Sequence, residues 1–100
     1  MDMTAMTAKE VQQKLEAGET LHMIDVREQF EVEEGHIKGI THIPLGELEE
    51  RIGELDKNTE YIMICRSGAR SGRATAYLED NGYKVINMTG GMMSWEGETI

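Results

Sequence analysis

"YIMICRSGARSGRATAYLEDNG", residues 61–82, decides the fold. Its first five residues are apolar or aromatic and end at the single cysteine of the chain, Cys65. Such a short run, with isoleucine at 62 and 64, reads as a central strand. A small-residue turn, "CRSGAR", follows at 65–70, and a helix is expected from near Ser71. Ala74, Tyr77 and Leu78 then recur at helical spacing until Asn81-Gly82 stops the helix. A strand, a tight turn and a helix in that order form the repeating step of an α/β sheet. Such sheets carry their functional loops at the carboxyl ends of the strands. Cys65 stands at such an end.

The same alternation continues on both sides. Upstream, "MDMTAM" reads as a mobile end or a short edge strand, and "TAKE" at 7–10 as a capping box. Ala8, Val11 and Leu15 share one helical face, and Gly18 ends that helix. "LHMIDV" at 21–26 is a buried-strand pattern, "REQFEVEEGHIKG" a polar loop with one helical turn, and "ITHIP" at 40–44 a strand closed by Pro44. Leu45, Leu48, Ile52 and Leu55 predict a helix whose other face pairs Glu47 with Arg51. Downstream come a strand at 83–88, "YKVINM", a "TGG" turn and a short final helix or tail in "MMSWEGE". No hairpin signal joins neighbouring strands. The expectation is one α/β domain over residues 1–100 with a mainly parallel sheet.

Composition bounds the function. The 100 residues suffice for a single core, and 39% hydrophobic with 29% charged residues fits a soluble domain. Nineteen acidic against ten basic residues give a formal charge of −9, which argues against nucleic acid or an anionic membrane surface as partner. No apolar run is long enough to span a bilayer. One cysteine forms no internal disulfide, and with no signal peptide the expected setting is reducing and cytoplasmic.

Against this acidic background residues 65–73 are a cationic island. Arg66, Arg70 and Arg73 are three of the ten basic residues, and the segment holds none of the acidic ones. A lone cysteine ending an apolar strand is commonly core. Here, though, Ser67, Gly68 and Ala69 let the backbone curl and aim its N–H groups inward as an anion nest, and the helix that follows brings its positive end to the same place. These features favour a thiolate, the reactive form of cysteine.

The chain resembles a single-domain rhodanese, a sulfurtransferase, over about residues 7–97. The resemblance is carried by the six-residue loop "CRSGAR" at 65–70, by Asp25-Val26-Arg27, Glu31, Gly35-His36-Ile37, Gly39 and Ile43-Pro44-Leu45 upstream, and by Gly90, Gly91 and Trp95 downstream. Val32 and Ile40 depart from residues frequent in the family, which bears on local packing more than on chemistry. The resemblance implies a three-layer α/β/α fold with five strands. It also implies that Cys65 takes a sulfane sulfur from a small anionic donor such as thiosulfate, holds it as a persulfide, and yields it to cyanide or a thiol. No metal or organic cofactor is implied.

Arg70, closing the loop, is assigned with Cys65 to catalysis, stabilising thiolate and donor. Arg66, Ser67, Gly68, Ala69 and Ser71 are assigned to substrate binding through the ring of N–H groups. Arg66 either meets the donor or faces solvent. Asp25 and Arg27 are expected to form a supporting ion pair or to hold the loop, a structural role in either case. His22, His36 and His42 lack metal-ligand spacing, and His36 suits a turn. Gly90 and Gly91 suit a tight turn beside the loop, Trp95 packing, and Met92 and Met93 either core packing or an apolar approach to Cys65. Two other readings compete: a cysteine-based phosphatase or arsenate reductase on a related fold, and a non-catalytic interaction module. The four residues between Cys65 and Arg70 disfavour the first, since the related phosphatases have five. The intact thiol disfavours the second.

Overall fold

The computed structural model describes residues 4–100, so the first three residues of "MDMTAM" lie outside it. Ala5–Thr7 form the edge strand β1, and Thr7 immediately caps helix α1, Ala8–Glu16. The capping box expected at "TAKE" is present. The Glu10 N–H donates to Thr7 Oγ1 at 3.1 Å, and the Thr7 N–H donates to Glu10 Oε1 at 3.0 Å. Strand β2, His22–Asp25, leads to the short helix α2, Gln29–Glu33, and then to β3, Thr41–His42. Helix α3 is Leu48–Arg51, strand β4 Glu60–Ile64, helix α4 Ala69–Asp80 and strand β5 Lys84–Thr89. A 3-10 turn at Gly91–Ser94 follows.

The strands pair in parallel throughout, in the order β1-β5-β4-β2-β3. The strand that ends at the cysteine is therefore the middle one. Because side chains alternate across a strand, β4 divides its residues between two cores. Met63 and Cys65 face α3 and α4 together with Ile24, Val26, Ala74, Leu78 and Val85. Ile62 and Ile64 face the α1 side with Ala8, Val11, Met23, Ile86 and Met88. The result is helices on both faces of a five-stranded sheet, as the resemblance implied.

Three expectations need correction. The helix from Leu45 to Leu55 is broken into a 3-10 turn at Leu45–Glu47, α3, and a second 3-10 turn at Ile52–Glu54. Gly46 and Gly53 fall within those turns, where glycine weakens a continuous helix. A spacing of three residues suits the tighter turn as well as the α-helix. The Glu47–Arg51 pair survives at 3.2 Å. Helix α4 starts at Ala69 rather than near Ser71, entered through Gly68 at φ +102, a left-handed conformation that glycine adopts without strain. "ITHIP" contributes only two residues to the sheet, Thr41 and His42, paired with Ile24 and Asp25.

Candidate active site

Cys65 is the first residue beyond β4, and its side chain is fully buried. The loop after it is shaped by glycines. Gly90 and Gly91 both have positive φ, and a Cβ on Gly91 would collide with the carbonyls of Arg66 and Cys65. That close approach lets the Met92 and Met93 N–H groups donate to the Cys65 and Arg66 carbonyls, each at 2.9 Å. The Gly68 carbonyl accepts from the Gly72 N–H at 3.0 Å and from Asn87 Nδ2 at 3.2 Å. With these carbonyls held on outside partners, loop N–H groups are free to turn inward. The Gly68 N–H donates to Cys65 Sγ at 3.0 Å, and Ser71 Oγ lies 3.3 Å from the sulfur.

The electrostatics of the thiol follow. Burial pushes Cys65 up, but the Ser71 hydroxyl, where it turns to the sulfur as donor at the expense of its bond to Asn87, and the backbone N–H groups of Ser71, Gly68 and Ser67 together outweigh it, and the thiol lies below its ordinary value. Each of these donors is neutral. Arg70 and Arg27 are each held by a carboxylate instead.

Arg70 makes a two-pronged pair with Glu31 of α2, Nη1 to Oε1 at 2.7 Å and Nη2 to Oε2 at 2.8 Å. Its guanidinium is thus placed on a carboxylate instead of reaching back to the sulfur, although the charge of Cys65 still contributes to raising its pKa, after Glu31. Arg70's hydrogen bonds in turn hold Glu31 down to about 2. Arg27 is buried with Asp25, its Nη2 2.8 Å from Asp25 Oδ2 and its Nε 2.9 Å from Oδ1. The same guanidinium donates to the carbonyls of Gly35 at 2.9 Å and Glu31 at 3.3 Å. A continuous ionic bracket therefore runs from the end of β2 through α2 to the first turn of α4. The expected Asp25–Arg27 pair is there.

Arg66, Ser67 and Ala69 are exposed on the rim. Arg66 lines an open cleft of about 440 Å³ with Phe30, Glu34, Met92, Met93 and Thr99. Phe30 and Met93 stand 65% and 70% exposed there, so Met93 is at the mouth of a cleft while Met92 packs against the α1 core. Trp95 lines a separate cleft with Leu15, Ile37 and Lys38 and donates its indole N–H to the Glu98 carbonyl at 3.2 Å. The imidazoles are dispersed. His36 Nδ1 sits 2.9 Å from the Val32 carbonyl, His42 Nε2 2.7 Å from that of Arg27, and His22 packs edge-on to Tyr61.

Two participants escaped the sequence reading. Glu31 appeared only as part of a motif, and its role depends on a partner 39 residues away. Asn87 was hidden inside the strand pattern "VINM". Its signal was a single amide in an apolar strand, at a position whose alternation from Val85 places it on the α4 side.

A parallel α/β sheet whose central strand delivers a buried thiol into a glycine-shaped N–H loop is the arrangement that the resemblance implied. The chain belongs to the rhodanese-like domain family, whose model matches residues 7–98. It is 46% identical to "Putative sulfurtransferase YtwF" of Bacillus subtilis (strain 168), over 99% of this chain and 96% of that one. It is 37% identical to the thiosulfate sulfurtransferase PspE of Escherichia coli (strain K12), over 71% of this chain and 70% of that one. The crystal structure of a rhodanese-like domain protein from Staphylococcus aureus superposes with a TM-score of 0.90 at 32% identity, covering 96% and 94% of the two chains.

Proposed function

We propose that this protein is a sulfurtransferase that carries sulfane sulfur on Cys65. The observation that carries the reading is the buried Cys65 sulfur meeting the Gly68 N–H at 3.0 Å and the Ser71 hydroxyl at 3.3 Å. With thiosulfate as donor, the Cys65 thiolate attacks the outer sulfur. A new S–S bond forms as the donor's S–S bond breaks, and sulfite leaves with its electron pair. The product is a Cys65 persulfide anion. Cyanide or a thiolate then attacks the outer sulfur of that persulfide, forming thiocyanate or a new persulfide and returning Cys65 as thiolate. Electrons balance without an external oxidant, as in covalent catalysis by double displacement.

The negative charge of the persulfide resides on its outer sulfur, where the N–H groups of Ser67, Gly68 and Ser71 near Cys65 would stabilise it. A four-residue gap between Cys65 and Arg70 suits one sulfur atom better than a phosphoryl group with three equatorial oxygens. Neither side of the exchange calls for a cofactor. The expected partners are a small anionic sulfur donor and a thiol or persulfide-carrying acceptor.

The test is intact mass after incubation with thiosulfate. A gain of about 32 Da on Cys65, removed by cyanide with release of thiocyanate, is expected. Robust aryl phosphate hydrolysis dependent on Cys65, with no mass gain from thiosulfate, overturns the reading.

A further inference from the structure

Ser71, on the first turn of α4, and Asn87, in the middle of β5, are both buried. Ser71 Oγ lies between two partners, 3.3 Å from Cys65 Sγ and 2.6 Å from Asn87 Oδ1. The orientation of the amide is settled by the other end of the same side chain. Asn87 Nδ2 is 3.2 Å from the Gly68 carbonyl, which accepts only, so the NH₂ group must point there and the oxygen must face Ser71. A hydroxyl has one proton, and an amide oxygen can only accept. Ser71 therefore donates to Asn87 and presents a lone pair to the sulfur.

We infer that Asn87 is a positioning residue: by holding the Ser71 proton it sets the balance between the Cys65 thiolate and the Cys65 persulfide. In the resting geometry the hydroxyl accepts from a thiol S–H. A thiolate at Cys65 has no proton to give, and it gains the hydroxyl as donor only if the O–H rotates away from Asn87. That rotation leaves Asn87 Oδ1 buried without its partner, which opposes thiolate formation. A persulfide makes no such demand. Its inner sulfur, Sγ, has two covalent bonds and little charge, while the outer sulfur carries the negative charge into the N–H ring. The hydroxyl then stays with Asn87. The pair penalises the empty carrier and leaves the loaded one alone, so it favours retention of sulfur. The statement about loading rests on the sulfur-transfer reading; the statement about the proton does not.

The charged groups around the sulfur do not change this. Arg66 is exposed on the loop, Arg70 of α4 is tied to Glu31 of α2, and Arg27 beyond β2 is tied to Asp25. None of them makes a hydrogen bond to Sγ; the sulfur's partners are Gly68 and Ser71.

With one cysteine in the chain, alkylation by iodoacetamide across a pH series reads the Cys65 pKa directly. Asn87→Leu frees the hydroxyl to serve the thiolate, and the pKa is expected to fall by about one unit, a roughly tenfold change in acidity. Asn87→Val, a strand-forming replacement that also lacks the oxygen, provides the same measurement if the leucine variant does not fold by circular dichroism. In combination with Ser71→Ala the position-87 substitution is expected to leave the pKa where Ser71→Ala alone puts it. An unchanged or raised pKa in the single variants overturns the inference, as does an equal drop in the Ser71→Ala background.

The second measurement is equilibrium loading. At a pH above the thiol pKa of both proteins, with glutathione persulfide and glutathione at a fixed ratio, Asn87→Leu is expected to lower the persulfide-to-thiolate ratio of Cys65 about tenfold. Equal loading of parent and variant overturns the loading half. A parent protein that takes up no sulfur overturns the sulfur-transfer reading and the loading half together, while alkylation alone decides the claim about the proton.

Discussion

The loop at 65–71 surrounds a sulfur, the segment from Asp25 to Gly35 surrounds carboxylates, and they do so with different groups. The loop holds a sulfur with peptide N–H groups and a hydroxyl. The segment holds carboxylates with guanidinium groups, Asp25 on Arg27 and Glu31 on Arg70. An acidic chain that gathers arginines near its thiol invites the reading that the arginines serve the sulfur. In this site Arg70 is held by Glu31 and Arg27 by Asp25, Arg66 stands exposed, and the sulfur's hydrogen-bond partners are the Gly68 N–H and the Ser71 hydroxyl. The lesson is one of permanence. A full charge bound tightly to the sulfur would resist its departure, whereas oriented N–H groups stabilise it without gripping one chemical state.

The comparison breaks most visibly at the sulfur. Cys65→Ser is expected to abolish both mass gain from thiosulfate and thiocyanate release while the thermal unfolding midpoint stays within a few degrees. Residual turnover at the parent rate would remove Cys65 as carrier. Next in size, Arg27→Ala strands the fully buried Asp25 carboxylate and is expected to destabilise the fold by about 3–5 kcal/mol. Urea unfolding measures it, and a loss below about 1 kcal/mol would mean that the bracket is dispensable.

Arg70→Ala removes both the tie to Glu31 and the charge that senses Cys65, and about a 10²-fold fall in turnover is expected. Arg66→Ala, on the exposed rim, is expected to raise the KM for thiosulfate with a smaller effect on kcat. Equal small losses for both would assign the work to the backbone alone. The smallest effect concerns acid. Glu31 titrates near 2 in the folded protein against an ordinary 4.5, so its contribution to stability is complete above 4.5 and is lost as pH falls toward about 2. Glu31→Gln should flatten the stability profile across that window and leave its shape above pH 5 unchanged. An unaltered acid limb would count against the Glu31–Arg70 pair.

How far the chain discloses these features depends on the range of the interaction. The strand, turn and helix at 61–82, the Thr7–Glu10 capping box and the Glu47–Arg51 pair are local, and each could be read within a few residues. The break in the helix after Pro44 was harder, because the spacing of Leu45, Leu48, Ile52 and Leu55 fits α and 3-10 turns alike, and only Gly46 and Gly53 argue for the latter. The direction of Arg70 was not readable from its own neighbourhood. Its partner is brought in by α2, and the position of α2 is fixed in turn by Arg27 bonding the Glu31 and Gly35 carbonyls. Position told where the arginine stands, and only the fold told where it points.

The strand order carries a further consequence, one of sequence in time. β5 lies between β1 and β4, so the sheet joins Ala5 to Asn87 only when nearly the whole chain is present. Parallel pairings across such separations are slow to form, since loop closure precedes any gain from contact. Asn87, Gly91 and the N–H groups of Met92 and Met93, which shape the cysteine loop, all arrive in that final stretch. Until residues 87–93 have followed and docked, the loop after Cys65 therefore lacks the contacts that shape it.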